Sequence, residues 1–405
     1  MSTDTVYVRT DMIAAQPAPN RSSGTWAWMR KNLFATPTDT ALTVLGLLLL
    51  FWLVPPLFNF FIGHAVFPGG TVEDCRAAPD GACWAYIGSE IEFFIYGFYP
   101  MQEYWRPNTV FFLLFALIIP LLAPKVPFKR TNAVLFFVAF PIFSFFLLNG
   151  LDIEVRQDSP LFGLLNGMGL LSTRFGVPEG TLLFMPHVPT EQWGGLLVTL
   201  IISVVGISLS LPLGILLALG RQSKLPVIKT LSIAFIELVR AVPLITVLFM
   251  ASIMLPLFLP VGTTIDKFLR AIVGVTLFTS AYMAEVVRGG MQAIGRGQYE
   301  AASALGLNYW KSMFFIVLPQ ALKYVIPGIV NNFISLFKDT SLVYIVGMKD
   351  LLEAVKTKND ALEWASSTQS ITGYAFAAIV FWTFCFSMSR YSMWVERRLD
   401  TGHKR

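Results

Sequence analysis

Apolar residues along this chain fall in long runs separated by shorter polar segments. The runs occupy 41–62, 109–123, 132–148, 194–220, 241–260, 271–287, 324–337 and 371–388. About 20 apolar residues cross a bilayer as one helix, and an open strand edge has no partner in hydrocarbon. The pattern therefore predicts an all-α polytopic membrane protein with about eight transmembrane helices. Pro55-Pro56 is expected to kink the first span, and Pro327 and Gly328 interrupt a short seventh one.

Basic residues gather at alternate ends of these runs. Arg30 and Lys31 precede the first; Lys125, Lys129 and Arg130 lie between the second and third; Arg221, Lys224 and Lys229 follow the fourth. Arg288 follows the sixth, and Arg390, Arg397, Arg398, Lys404 and Arg405 follow the eighth. The positive-inside rule assigns those ends to the cytoplasm, which leaves both termini inside and 63–108, 151–193 and 348–369 outside. The expected organisation is a cytoplasmic tail (1–38) without a signal-peptide pattern, a three-span extension (39–150) with outer loop 63–108, and a periplasmic segment (151–193). A five-span unit (194–396) and a cytoplasmic tail (397–405) complete it.

Composition narrows the partners. Of 405 residues 55% are hydrophobic and 14% charged, with a mean hydropathy of +0.63, against about 25% charged in soluble domains. The net charge of +5 and pI near 9.0 would suit nucleic acid, but the basic residues crowd at the ends of apolar runs. Membrane lipid, and no nucleic acid, is the surface they are expected to meet. Three histidines and three cysteines show no metal-ligand spacing, so no metal is expected. Cys75 and Cys83 flank the turn sequence Pro79-Asp80-Gly81 on the oxidising side, which favours a disulfide closing a small loop over two unpaired thiols. Cys385 belongs to a packed span.

Two helices carry further signals. Gly206, Ser210, Gly214 and Ala218 recur every fourth residue, a spacing that lets another helix approach closely, within the subunit or between subunits. Ile228, Leu231, Phe235 and Leu238 line one face of 228–240, which predicts a helix lying along the cytoplasmic interface before the chain enters the membrane near Ala241-Val242-Pro243.

Between the sixth and seventh runs lies GQYEAASALGLNYWKSMFFIVLP, 297–319. Its pattern is Glu300-Ala301-Ala302, three residues, Gly306, nine residues, then Ile316-x-Leu318-Pro319. Gln298 to Leu305 favours a short helix, and Gly306 stands where a left-handed stop is wanted. Small residues at Ala301, Ala302 and Ala304 give a narrow helix able to seat in a cleft of another protein. This segment resembles the EAA loop of ABC importer permeases, the cytoplasmic element that meets the ATPase. Gly297, Tyr299, Glu300, Ala301, Ala302, Ala304, Leu305 and Gly306 are its implied coupling residues, within a coupling loop of 288–320.

Over 194–397 the chain is similar to the polar amino-acid branch of that family. The similarity runs through Gly195-Leu196, Thr199-Leu200, Glu237, Arg240, Pro243-Leu244, Ala281-Tyr282, Glu285, Arg288-Gly289-Gly290, Gly297-Gln298, Pro319-Gln320-Ala321 and Lys338-Asp339-Thr340-Ser341-Leu342. Ala241-Val242 departs from the branch pattern, in which a small polar residue or glycine is frequent before Pro243. The first half resembles the extended subunits of the general L-amino acid permease, which carry three extra spans and a cysteine-bearing outer loop. Length and the C-x7-C loop favour the M-type subunit; Q-type subunits look alike.

The resemblance implies a type I importer core of five spans and a bacterial inner-membrane location. Implied partners are an ATP-binding subunit dimer, a paralogous permease subunit or second copy, a periplasmic amino-acid binding protein and L-amino acids. The chain has no G-x-x-x-x-G-K-[S/T], so ATP and Mg are expected on the partner ATPase, with no cofactor in this chain and no catalysis of its own. An ion-coupled secondary amino-acid transporter is the competing function.

Charged groups near the membrane mark function or ion pairing. Glu285, Arg240, Lys338, Asp339, Thr340 and Ser341 are the candidate substrate path. Glu285 would meet the ammonium of an amino acid while Thr340 and Ser341 bind or gate it. Equally, Glu285 would pair with Arg288 or Arg240.

Overall fold

The computed structural model describes residues 24–123, 126–154, 160–168, 181–260 and 265–399. Residues 1–23 of the expected N-terminal tail, Lys125, and residues 400–405 with Lys404 and Arg405 lie outside the described residues. The described chain has six helices long and apolar enough to cross a membrane, and eight spans if two bent pairs each count once.

The spans in the first half are α1 (Pro37–Gly63), α3 (Met101–Leu122) and α4 (Lys129–Asn149), with the shorter α2 (Trp84–Tyr96) between α1 and α3. Thr36 and Asp39 form a capping box at the start of α1, and a π turn at Asn59–Gly63 follows Pro55-Pro56. No residue of Pro37–Phe58 is buried, so hydrocarbon is the natural surround for this helix. Strands β1 (Leu151–Glu154) and β2 (Thr181–Met185) pair antiparallel after α4.

The second half begins with α5 (Gly195–Arg221). It continues with α6 (Pro226–Ala241) and α7 (Leu244–Leu257), bent by 105° from each other. The break falls at Val242, which takes φ −112° and ψ 147° because the ring of Pro243 disfavours the helical region for its predecessor. Ser232 and Ile236 turn α6 inward, whereas Ile228, Leu231 and Leu238 stay exposed, which fits a helix lying along the interface.

Next come α8 (Lys267–Gln292), α9 (Arg296–Ala304), and the pair α10 (Tyr309–Tyr324) and α11 (Ile326–Val346), bent by 65°. The seventh span is thus longer than the run 324–337. A π turn at Met313–Val317 precedes Pro319, so the ring sits where the helical ladder is already interrupted. Helix α8 runs past Arg288-Gly289-Gly290, where the sequence suggests an end. A Cβ on Gly290 would lie 2.7 Å from the carbonyl of Ala321, so this glycine admits α10 rather than stopping α8. The chain closes with α12 (Leu351–Asn359) and α13 (Gln369–Leu399).

The small-residue stripe on α5 packs within the subunit. Gly206, Ser210, Gly214 and Ala218 are all buried, and a Cβ on Gly214 would come within 2.7 Å of Met283 Cβ on α8. Two core clusters follow. One joins Val110, Leu114 and Phe140 of the extension to Ile202, Leu248 and Val275; the other gathers Ala218, Ile236, Met283, Val287 and Val317 around the base of α8.

Outer loop 63–108 is no free connector. Tyr86, Ile87 and Phe94 of α2 pack with Leu351, Ala354 and Val355 of α12 and Ala377 of α13, so the expected boundary between extension and core is not a packing boundary. Cys75 and Cys83, both buried, are joined in a disulfide with Cα atoms 5.5 Å apart. Around them the Cys83 amide donates to Thr372 Oγ1 (3.0 Å) and Arg76 Nε to the Ala365 carbonyl (3.1 Å). Lys358 pairs with Glu90 at 2.7 Å. Three segments cross at Gly97, Gly194-Gly195 and Lys349-Asp350 through backbone bridges. Gly97 has φ +68°, and a Cβ there would overlap Gly194 Cα.

Asp350, fully buried, caps α12 by accepting from the amides of Leu352 (3.2 Å) and Glu353 (3.0 Å). Burial raises its carboxyl to about 6, against the lowering effect of those amides. Since its folded value is raised, its contribution to stability is complete below pH 3.8 and is lost as pH rises through about 6. Asp350→Asn keeps an acceptor and is expected to flatten that dependence. Asp350→Ala loses the cap, at a cost of about 1 kcal/mol. Thermal unfolding of the purified protein across this pH range checks both.

Candidate functional site

The base of the bundle is built around one carboxylate. Arg221 at the end of α5 donates through Nη1 to Glu285 Oε1 and Glu237 Oε1, each at 2.8 Å. Arg288, one turn beyond Glu285 on α8, donates to Oε2 through Nη2 (2.7 Å) and Nε (3.0 Å). Arg240 of α6 stands 3.9 Å from the same oxygen, its guanidinium 5.5 Å from the Tyr282 ring centroid. Each oxygen of Glu285 therefore has a cationic partner, and α5, α6 and α8 meet there. Glu285 does not present a free carboxylate to an ammonium; the ion pairing weighed beside that role is what the fold contains.

Just past this clamp hangs α9. Its C-terminus is a Schellman motif: Gly306 takes φ +70°, its amide bonds Ser303 O (2.9 Å), and Leu307 N bonds Ala302 O (3.1 Å). Tyr299 and Ala302, three apart, face inward; Ala302 is fully buried and the Tyr299 hydroxyl reaches Met291 O at 3.4 Å. Gln320 Nε2 on α10 donates to Gln298 Oε1 at 3.1 Å. Glu300, Ala301, Ala304, Leu305 and Gly306 are exposed, as is Gly297. Ala302 therefore belongs to the anchor, not to the face that another protein could touch.

A polar cleft of about 210 Å³ lies higher on α8, lined by Phe278, Thr279, Tyr282, Asn332, Ser335, Leu336 and Asp339. Asn332 Nδ2 is buried without a hydrogen-bond partner. Of the residues expected along the path, Asp339 enters this cleft. Lys338 is exposed away from it. Thr340 is fully buried, its hydroxyl donating to Phe337 O at 2.8 Å, and that of Ser341 donates to Lys338 O at 3.0 Å. Both hydroxyls donate to carbonyls of their own helix, and neither residue lines the cleft. The clamp and the cleft adjoin at Tyr282, one turn from Glu285, whereas the sequence offers them as one path.

Asn332, Ser335, Thr279 and the clamp partner Arg221 were absent from the expected site. A signal existed. Thr276, Thr279, Tyr282 and Glu285 recur every third residue on α8, and Asn332, Ser335 and Asp339 share one face of α11.

Residues 210–401 match the family model of the binding-protein-dependent transport system inner membrane component. Over 388 residues the chain is 45% identical to the inner membrane amino-acid ABC transporter permease protein YhdY of Escherichia coli K12, with 96% of each chain covered. It belongs to this permease family.

A second long relative, the glutamate/glutamine/aspartate/asparagine transport system permease protein BztC of Rhodobacter capsulatus, is 44% identical over 99% of this chain and 100% of its own. The probable glutamine ABC transporter permease protein GlnP of Bacillus subtilis matches 49% of this chain and 88% of its own length, at 34% identity. The permease thus carries a unit that stands nearly alone in a shorter relative, with about as much chain again.

In this permease, removing the clamp's central charge leaves its guanidinium groups facing one another. Glu285 has a side chain 16% exposed against 23% for Arg221 and 28% for Arg288, so solvent screens part of the loss. Glu285→Ala is expected to cost about 2 kcal/mol, below the 3–5 kcal/mol of a fully buried pair. Thermal unfolding in detergent measures it, and an unchanged midpoint would refute the clamp.

Proposed function

We propose that this chain is the transmembrane permease subunit of an ATP-driven, binding-protein-dependent importer of L-amino acids, with a type I core in its second half. Membership of the family and the names of the long relatives support the amino-acid class. Nothing found favours ion-coupled secondary transport.

The observation that carries the reading is the division of α9 into two faces. Tyr299 and Ala302 fasten it to the bundle, while Glu300, Ala301, Ala304 and Leu305 stand free, Leu305 at 76% exposure. A helix fixed on one side and bare on the other, starting eight residues beyond Arg288 in the clamp-bearing turn of α8, is suited to take a push from another protein. We assign that face to an ATPase dimer, which uses ATP and Mg²⁺ that this chain holds no motif to bind. A second permease subunit, paralogue or second copy, completes the path, and a periplasmic binding protein delivers the amino acid at the opposite end. On this reading both termini share the cytoplasmic side with α9, which an even number of spans and the basic residues at that end support.

Closing of the ATPase dimer would move α9 and α8 together, a rigid-body change that reshapes the cleft above. There Asp339 supplies a carboxylate for the substrate ammonium, with Thr279, Tyr282, Asn332 and Ser335 to bond its polar atoms.

Ala301→Trp places bulk on the bare face of α9 and is expected to abolish capture of the ATPase and ATP-driven uptake, while the permease stays monodisperse in detergent. Wild-type capture by that variant would sink the docking assignment. Asp339→Asn leaves capture intact and lowers uptake about 10- to 100-fold, the worth of one charge-assisted contact. Radiolabelled amino-acid uptake into proteoliposomes separates the two.

A further inference from the structure

The inner ends of the extension and of α13 meet at two neighbouring carbonyls. Tyr391 of α13 donates its hydroxyl to the Leu122 carbonyl at 3.0 Å, and Lys129 Nζ lies 3.5 Å from that of Leu121. Leu122 and Tyr391 each stand about 32 Å along their helices from the outer end. A hydrocarbon core is about 30 Å thick. The contact therefore falls where acyl chains give way to headgroups, in the leaflet on the side of α9.

Cations converge there from both elements. At 3.6 residues per turn, Arg390, Tyr391, Trp394, Arg397 and Arg398 share an arc of about 120° on α13, with Glu396 on the opposite side. The Trp394 ring is 5.7 Å from that of Tyr391, and the Arg398 guanidinium lies 5.4 Å from the Trp394 centroid. The charge of Arg398 thus leans back toward the Tyr391–Leu122 contact. On the hairpin side Lys129 and Arg130 are exposed. The first turn of α4 has no side-chain cap there, which adds the positive end of a helix. Residues 104–151 contain no Asp or Glu. Among the described residues, Arg130, Arg390, Arg397 and Arg398 have no ion pair, whereas Arg221, Arg240 and Arg288 are engaged at Glu285.

Charge and depth select the occupant. Cations without carboxylates at the headgroup level attract lipid phosphate, and basic sites between membrane helices on the cytoplasmic side take anionic headgroups. A zwitterionic headgroup would bring its own ammonium against these guanidinium groups; a net-negative one does not. The exposed ring of Trp394 suits the same boundary.

We propose that the junction between the α3–α4 turn and the inner end of α13 holds the phosphate of one anionic glycerophospholipid. Lys129 and Arg130 meet it from the extension, Arg390 and Arg398 from the core. The lipid ties the two at their inner end, as the disulfide-bearing loop does at the outer one.

The test uses the permease with its co-purifying subunits, reconstituted in phosphatidylcholine vesicles. A trace of phosphatidylglycerol in them carries a diazirine near its headgroup. After illumination, adducts are expected on peptides covering 126–134 and 386–398. Excess phosphatidylglycerol removes them, whereas the same excess of phosphatidylethanolamine or inorganic phosphate does not. Arg130→Gln and Arg398→Gln, both at exposed positions, each lower this labelling about fivefold, the weight of one cation near a membrane surface. Arg130→Lys and Arg398→Lys restore it. Arg30→Gln combined with Lys31→Gln removes as much exposed charge from another helix and leaves the labelling at its wild-type level. An equal loss in that control, or adducts shared evenly among all the basic ends, overturns the site in favour of general attraction to the membrane. Competition by phosphatidylethanolamine or by inorganic phosphate overturns the choice of an anionic lipid.

Discussion

One carboxylate, that of Glu285, holds three helices at a single point. It is bonded by Arg221 from α5 and Arg288 from its own helix, with Arg240 from α6 at 3.9 Å. Charges at membrane depth persist where they are paired, and here the pairing also sets the geometry. Arg240 reaches over Tyr282, which lines the polar cleft. Helix α9 leaves α8 a few residues past Arg288 and is tied back to Met291 through Tyr299. The clamp thus stands between the exposed helix and the cleft. From Glu285 to Thr279 is six residues, about 9 Å of helix, so in the proposed importer a shift of α9 arrives at the cleft through one stiff rod.

Much of this fold is legible in the sequence. Eight apolar runs correspond to six single-helix spans and two bent pairs, because hydrocarbon forces long helices whatever the tertiary detail. What escaped reading was local. Pro243 and Pro327 mark the breaks of the fifth and seventh spans where the sequence puts them, yet Pro319 is absorbed behind a π turn within α10, and no propensity distinguishes it from the other two. Gly290 looks like a helix stop but marks a helix crossing. Outer loop 63–108 is polar enough to look like a free connector, yet Tyr86 and Phe94 are buried against α12 and α13, and a partner so distant in sequence leaves no local trace.

The site was half legible for the same reason. Motif spacing located α9 and its Gly306 stop, since both are written within a few residues. The inward turn of Ala302 depends on where α8 and α10 lie, so Ala302 looked equivalent to Ala301 and Ala304. Glu285 stood open between two roles because its partners Arg221 and Arg240 come from other helices. Asp339 was singled out together with Thr340 and Ser341 as one string, but a helix spreads consecutive residues over its whole circumference. Only Asp339 shares a face with Asn332 and Ser335.

The two ends of the bundle are fastened by different physics. Away from α9, the segments at Gly97, Gly194 and Lys349 cross by backbone bridges, in contact too close for a Cβ, with a disulfide and the Glu90–Lys358 pair alongside. Such a crossing cannot slide without steric overlap, so it behaves as a fixed joint. At the base, three arginines share one carboxylate in partial contact with water, and partly solvated ion pairs exchange partners at low cost. The same chain is therefore stiff where the extension is stitched on and yielding where α9 hangs. In the proposed importer, displacement delivered at α9 would therefore concentrate in the clamp and in the cleft just above it, while the far end keeps its form.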